Sequence, residues 1–471
     1  MQFTRAKSFH LVQFTCIKSF HLVQFAVQLF VYIVQNKYLC KQTKSYMGMN
    51  LERILKDQRE ELFNTDYSLF ITRREETEID LDSRLAQIVI GVRRCGKSTI
   101  CQKVLVESKV NFAYVNFDDE KLATLRVEEL NDVILVLYRI YGSFTHLFMD
   151  EIQNVPQWHL FVNRLLRQGI HIILTGSNAN LLSGELATHL TGRYNEIHLY
   201  PFSFSEYCAA KAIHTDAQTT KSTGLLLNAL DTYLQQGGFP ELLSMLRQDR
   251  YIASLLTAII TKDICHRYKV RYKKTLQQLA NGILDRFCQE VSYSDLQDIY
   301  QLSSIHTSKN YVSYLENAYL VRLVPRYSFK SIERQTMRKV YCIDNAFVTN
   351  HDDALQTENL GWRLENVIAI ELFRRIKNET QQLYYLRQHK SYEVDFAIVE
   401  RNKVKQLIQV TYDFTQPKVK LYNREIGGLL KGSAATGCTD LTLIMMSGEE
   451  GDIEINGLTI HKVLAIRWLI G

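Results

Sequence analysis

Short runs of consecutive apolar residues, many of them β-branched, punctuate the first two hundred positions. They fall at Gln87-Ile88-Val89-Ile90-Gly91, Phe112 to Phe117, His146 to Met149 and His171 to Thr175. A run without polar alternation reads as a strand covered on both faces, the habit of a parallel sheet. The first run passes through a glycine-containing turn into a helical stretch ending near Val106. From 204 to 270 the pattern is helical, with Leu225-Leu226-Leu227 to Leu234 on one helix and a break at Gln236-Gly237-Gly238-Phe239-Pro240-Glu241. Apolar positions 276, 279, 280, 283, 284 and 287 then keep the 3.6 period of an amphipathic helix. A second helix starts near Ser294, Ser303-Ser304 make a tight turn, and a third helix runs from Ile305 to Asn317. Two β-prone runs follow, Leu320 to Tyr327 and Met337 to Ile343. Beyond Asn345 the order is helix (361–377), strand (382–387), strand (393–400), strand (404–411), helix (417–430) and strand (440–446).

Composition changes this picture little. A chain of 471 residues that is 46% hydrophobic and 23% charged is an ordinary globular protein with room for several domains. The formal charge of +6 is concentrated in residues 1–48, which hold Arg5, Lys7, Lys18, Lys37, Lys41 and Lys44 and no acid. The remainder carries 50 Lys and Arg against 50 Asp and Glu, so net charge alone gives no reason to expect nucleic acid. Nine scattered cysteines, with no CxxC pair and no zinc spacing, predict reduced thiols in a cytoplasmic protein. The opening is anomalous: QFTRAKSFHLV is followed by QFTCIKSFHLV and the start of a third copy. We expect residues 1–48 to be a translated upstream repeat and the working protein to start at Met47 or Met49. The rival is a weak membrane anchor in Leu22 to Val34, which falls short of the roughly 20 residues that span a bilayer.

The chemistry begins at Gly91, Val92, Arg93, Arg94, Cys95, Gly96, Lys97, Ser98 and Thr99, a GxxxxGK[ST] pattern between a strand and a helix. Its glycines let successive backbone N–H groups face phosphates, with the helix N-terminus behind them. Lys97 adds a charge for the β- and γ-phosphates, and Ser98 offers a hydroxyl to Mg²⁺. The strand His146-Leu147-Phe148-Met149 ends in Asp150, expected to hold the metal, and Glu151, expected to act as general base on water. Ser177 and Asn178 follow another strand and read equally as polar sensors or as a helix cap. Cys95 reads as a small tolerated side chain rather than a redox-sensitive one.

The combination GVRRCGKST, FMDEIQNV, ILTGSNA, LTGRY and YPFSFSEY resembles the prokaryotic AAA-type ATPases that carry a C-terminal domain of unknown function. The likeness covers roughly residues 50–471. It implies ATP and Mg²⁺ as ligands, and it offers Arg193 for reading the γ-phosphate or clamping the sheet, with Asp118 and Asp119 near the site. The implied fold class is α/β: a P-loop NTPase parallel sheet with a helical lid, a winged helix and a C-terminal αβββαβ domain resembling PD-(D/E)xK nucleases. The corresponding segments are an N-terminal helix and linker (49–83), ATPase core (84–205), lid (206–270), winged helix (271–340) and nuclease-like domain (341–471). Should the winged helix take duplex DNA, His306, Thr307, Lys309 and Asn310 would face the groove, with Arg334, Arg338 and Lys339 on phosphates. A protein partner or self-association is the alternative. Lys262, Asp263 and Arg267 receive no role. In the last domain Glu365 and Asp395 match the first two nuclease acids, but Gln409 and Thr411 stand where an acid and a lysine belong, which predicts a scaffold without cleavage. The leading expectation is an ATPase that drives or gates a switch in the later domains; the others are an ATP-regulated DNA-binding protein and a nuclease effector under ATPase control.

Overall fold

A computed structural model describes residues 50–122, 125–177, 190, 192–216, 219–245, 248–328, 333, 337–349, 359–376, 380–389 and 391–471. The repeat in residues 1–48, Asn178 and Arg334 lie outside these residues. The four expected strands, β1 (Ala86–Ile90), β2 (Phe112–Asn116), β3 (His146–Asp150) and β4 (His171–Gly176), form one sheet with a fifth that the pattern does not mark, β5 (Tyr194–His198), in the order β2-β3-β4-β1-β5. Every pairing is parallel. β1 and β3 are buried at every position, which is why their sequences show no alternation. β4 separates the strand with the acids from the strand that feeds the glycine turn, so both tips open onto one edge. Helices Lys97–Ser108, Leu130–Tyr141 and Trp158–Arg167 cover the faces. A helix over residues 50–64 buries Leu55 and Leu62, and its Gln58 exchanges two hydrogen bonds with the backbone of Asn116.

Helices Phe204–Ala210, Thr220–Gln236 and Gln248–Ala258 follow, the last running on into a π-helical stretch, Ile259–His266. Next come helices Lys273–Leu284, Tyr293–Tyr300 and Ile305–Asn317, and a small sheet of β6 (Glu290–Val291), β7 (Val321–Pro325) and β8 (Arg338–Cys342) in the order β6-β8-β7. The last sheet contains β9 (Gln381–Gln388), β10 (Tyr392–Glu400), β11 (Lys403–Asp413), β12 (Leu441–Ser447), β13 (Gly451–Ile455) and β14 (Leu458–Leu464), ordered β13-β14-β12-β11-β10-β9. Helices Leu360–Arg375 and Val419–Thr436 occupy the expected places. The hairpin β13-β14 and the closing helix Ala465–Ile470 extend this sheet beyond the sequence reading. One hydrophobic core runs from Ile54 through the middle helices to Leu469, so the successive segments are packed together.

Two sequence expectations fail at Lys339. Its side chain is buried rather than turned to solvent, and its ammonium lies 3.2 Å from Glu365, 2.6 Å from Glu393 and 3.5 Å from Asp395. It therefore cannot serve a nucleic-acid phosphate. It also supplies the ammonium that β11 lacks, from a strand of a different sheet. Gln409 occupies the expected acid's place and donates to Glu425 at 2.7 Å, while Asp395 accepts from the Val410 backbone at 3.0 Å. Burial, then the neighbouring Glu365, pushes the Asp395 carboxyl up to about 7. The seven cysteines among the described residues are buried free thiols, and burial raises Cys95.

Removing one member of a buried ion cluster strands the others, at a typical cost of about 3–5 kcal/mol. Lys339→Met should lower the unfolding free energy by roughly that amount in urea at pH 8. The loss should be smaller at pH 5, where Asp395 can take up a proton. A loss below about 1 kcal/mol at pH 8 would show that the ammonium is not clamped there.

Candidate functional site

The tips of β1 and β3 and the segments around them enclose a cleft of about 680 Å³. Its floor is the glycine turn. Gly91 sits so close to the chain after β5 that a Cβ there would collide with the Leu199 carbonyl oxygen. Gly96 holds φ = 103°, a left-handed value that side chains resist, and hands the chain to helix Lys97–Ser108. Lys97 is buried, and its ammonium donates to the Val92 carbonyl at 3.1 Å, folding back over the turn. Beneath the turn lies the buried Arg73, which donates to the carbonyls of Cys95 (3.2 Å) and Tyr200 (2.7 Å) and pairs with Glu206 at 2.8 Å. That guanidinium braces the turn from behind.

Across the cleft Asp150 is fully buried. Ser98 Oγ donates to its carboxylate at 2.9 Å, and Thr175 Oγ1 donates to the same oxygen. Thr175 also accepts from the Glu151 backbone N–H at 3.0 Å, which fixes the bend after β3. Glu151 adopts φ = 51°, and its carboxylate, bonded to Gln153, turns into the cleft lining. Burial, then the neighbouring Glu151, pushes the Asp150 carboxyl up to about 6, despite the two hydroxyls and Lys97. A buried carboxylate short of positive charge, beside a serine hydroxyl, is the oxygen donor set a hard divalent cation takes. These residues fit Mg²⁺, with Ser98 and Asp150 as its protein ligands.

The remaining walls are of two kinds. Leu69, Phe70, Ile71, Ala210, Pro240 and Leu243 give an apolar side between the segment before β1 and the helices after β5. Arg93 and Arg94 give a charged side tied to later helices. Arg93 makes two bonds to Asp263, at 3.0 and 2.8 Å, and that pairing raises its already high pKa. Arg94 reaches Glu241 at 3.0 Å on the exposed rim.

Positions 91–99, Asp150 and Glu151 are thus brought together as expected, and Asp118 joins the lining. Asp119 instead faces Gln58 and the Lys121 backbone. Ser177 is buried at the end of β4. Arg193 is exposed, and its carbonyl accepts from Ala86 at the start of β1, which places it beside the sheet, at the edge opposite the cleft, and not at the γ-phosphate position. Because β5 runs parallel to β1, a residue just before β5 must lie there, and its side chain is not in this cleft. The sequence reading missed Thr175, Arg73 and Asp263. Thr175 carried a signal, a polar residue closing an otherwise apolar strand. Asp263 carried a weaker one, a lone acid in a basic stretch.

A family model described as an AAA domain matches residues 83–208, and one described as a domain of unknown function (DUF8612) matches residues 227–358. The chain is 31% identical to the uncharacterized protein MJ1544 of Methanocaldococcus jannaschii over 75% of its own length and 81% of that protein. It is 30% identical to an uncharacterized protein of Haemophilus influenzae, over 62% of this chain and 76% of the other. Among solved structures, a Walker-type ATPase of Pyrococcus abyssi is similar with a TM-score of 0.40 at 16% identity, covering 59% of this chain and 95% of that one. A RuvB mutant of Thermotoga maritima gives 0.28 at 14%, covering 54% and 91%. No helix among the described residues is long and apolar enough to cross a membrane.

The raised Asp150 carboxyl has a stability consequence. Between its unfolded value near 3.8 and its folded value of about 6, the folded protein holds a proton that the unfolded chain has released. Stability from this group therefore falls as pH rises through that window, by about 2–3 kcal/mol once complete. In Mg²⁺-free buffer Asp150→Asn should raise the thermal midpoint at pH 8, and the gain should vanish near pH 4. A midpoint that drops at pH 8 would contradict the charge imbalance.

Proposed function

The chain belongs to the same family as the M. jannaschii protein MJ1544 and carries an AAA domain; from that premise we propose that it binds Mg-ATP in the cleft between β1 and β3 and hydrolyses it. The observation that carries this reading is the Ser98–Asp150 contact of 2.9 Å, which brings the phosphate-turn hydroxyl and the β3 carboxylate to one point beside Lys97. When bound there, Mg²⁺ supplies positive charge to the phosphate oxygens. The backbone N–H groups of 91–99 cradle the phosphates, and Lys97 gives the loop its ammonium. Glu151 orients the attacking water and accepts its proton. Thr175 keeps the two acids in their separate roles by holding the Asp150 carboxylate and the Glu151 backbone at once. Ser177, at the tip of β4, is proposed as a polar sensor, and Asn178, the next residue in the sequence, as a second. The apolar side, with Phe70, Pro240 and Leu243, receives the base.

Hydrolysis is proposed to gate the segments that follow. Support comes from four ties between the site and later elements. Arg93–Asp263 and Arg94–Glu241 join the phosphate turn to the lid and the π-helical stretch. Arg73–Glu206 backs the turn, and Arg374 of helix Leu360–Arg375 donates to the Pro201 carbonyl close by. Helices 273–317 with β7 and β8 are read as a winged helix, and β9–β12 with their helices as a nuclease-like scaffold used for pairing or binding. The clamped Lys339 disfavours the nuclease effector, because its ammonium occupies the space between Glu365, Glu393 and Asp395 where a divalent cation would sit.

Two variants test the ATPase reading. Lys97→Ala should abolish phosphate release from ATP in purified protein. Glu151→Gln should keep nucleotide affinity within a few-fold while lowering kcat by about 10²-fold or more. Wild-type turnover in both would assign the activity to another site or to a contaminant.

A further inference from the structure

Beyond residue 48 the chain balances its charges, yet residues 262–274 (KDICHRYKVRYKK) hold six Lys and Arg and a single acid. That acid, Asp263, is buried and spent on Arg93. Lys262, Arg267, Lys269, Arg271, Lys273 and Lys274 are all exposed, and among the described residues none of them forms an ion pair. The segment is not a loose tail. Its apolar members point inward: Val270 is buried, and Tyr268 stacks on Tyr314 with ring centroids 3.8 Å apart. Asn317 donates to the Tyr268 hydroxyl at 3.3 Å. A rigid scaffold therefore holds six like charges outward at close spacing, an arrangement that repels itself unless an anion spreads across it.

We propose that the segment Lys262–Lys274 grips the sugar–phosphate backbone of duplex DNA. A chain of regularly spaced phosphates matches an extended set of point charges better than a compact anion does. The aromatic partners argue against a single strand. Tyr268 is already stacked and the Arg271 guanidinium lies 5.4 Å over one face of the Tyr272 ring, so only the other face of Tyr272 is left for an unpaired base, less than a run of stacked bases needs. No exposed large apolar side chain other than Tyr272 accompanies the charges, which argues against a lipid surface. This surface is separate from the groove-facing residues expected on helix Ile305–Asn317. There His306 and Lys309 are exposed, Thr307 is tied to the Ser303 and Ser304 hydroxyls, and Asn310 to His306. The π-helical stretch Ile259–His266, which holds Arg93 through Asp263, runs straight into this basic segment, so the proposed DNA surface is continuous in the chain with a contact of the cleft.

The test is fluorescence anisotropy of a labelled duplex of about 20 base pairs with the full chain, across about 50–200 mM salt. A single strand of equal length and vesicles containing phosphatidylserine are run in parallel. Six phosphate contacts predict an affinity that falls about 10³-fold over that range. The triple variant Arg267→Ser, Lys269→Asn, Arg271→Ser should flatten the log–log salt slope by about 2 to 3. Asparagine is chosen at 269 because that residue holds φ = 50°. Arg267→Lys with Arg271→Lys should restore binding, since phosphates need the charge and not the fork. The Lys97→Ala protein should still bind the duplex, which separates this idea from the ATPase reading. No duplex binding by the wild type at low salt, an unchanged slope in the triple variant, or tighter binding to the single strand or the vesicles would each overturn the proposal.

Discussion

A carboxylate with no water around it has to be compensated, and Asp150 sets that requirement at the tip of the middle strand. Two hydroxyls serve it directly, from Ser98 on the phosphate-turn helix and Thr175 on β4. That single acid therefore ties β3 to its neighbour β4 and, past it, to the helix after β1. The strand order β2-β3-β4-β1-β5 with every pairing parallel puts all three groups at the same edge. Neither hydroxyl carries charge, so the compensation is incomplete and the carboxyl stays well above its ordinary range. A site built this way is shaped to hold a cation rather than to be stable without one.

The phosphate turn is held from outside itself as well. Its orphan N–H groups must point into the cleft, so its carbonyls and side chains are secured from behind. Arg73 takes the Cys95 carbonyl, and Arg93 and Arg94 leave the turn in the direction of the lid. Arg73 and Arg93 are held in well-buried pairs, where a broken contact costs far more than on the surface. The π-helical stretch carrying Asp263 is itself a wide, poorly bonded form of helix that recurs at functional positions.

What was legible in the sequence was what lies close together in it. The strand–turn–helix of 86–108 and the Asp150-Glu151 tip could be read because their chemistry is local and their burial leaves an unbroken apolar run. The order of the later helices and strands was legible for the same reason, periodicity being a local signal. Arg93–Asp263 spans 170 residues and Arg73–Glu206 spans 133, and no local pattern marks such partners. Arg193 shows a different failure. Its motif sits beside a strand, but the direction of β5 within the sheet decides which edge it occupies, and direction is not written in spacing. Lys339 looks solvated in the sequence because it stands beside Arg338 at the start of β8, and only the packing of a second sheet against that strand buries it.

The two acid clusters of this protein differ in what stands between their acids. At the first, Asp150 and Glu151 face hydroxyls, backbone and one lysine that already donates to a carbonyl. At the second, Glu365, Glu393 and Asp395 surround an ammonium within 3.5 Å, and Tyr341 and the Val410 backbone fill the remaining acceptor positions. A divalent cation entering the first cluster relieves an existing deficit. One entering the second would have to displace a buried lysine that belongs to another sheet, and so pull β8 away from the helix and strands it joins. The same residue types therefore serve opposite ends: in one place the acids border a space open to a ligand, and in the other they surround a buried lysine so that two sheets stay together.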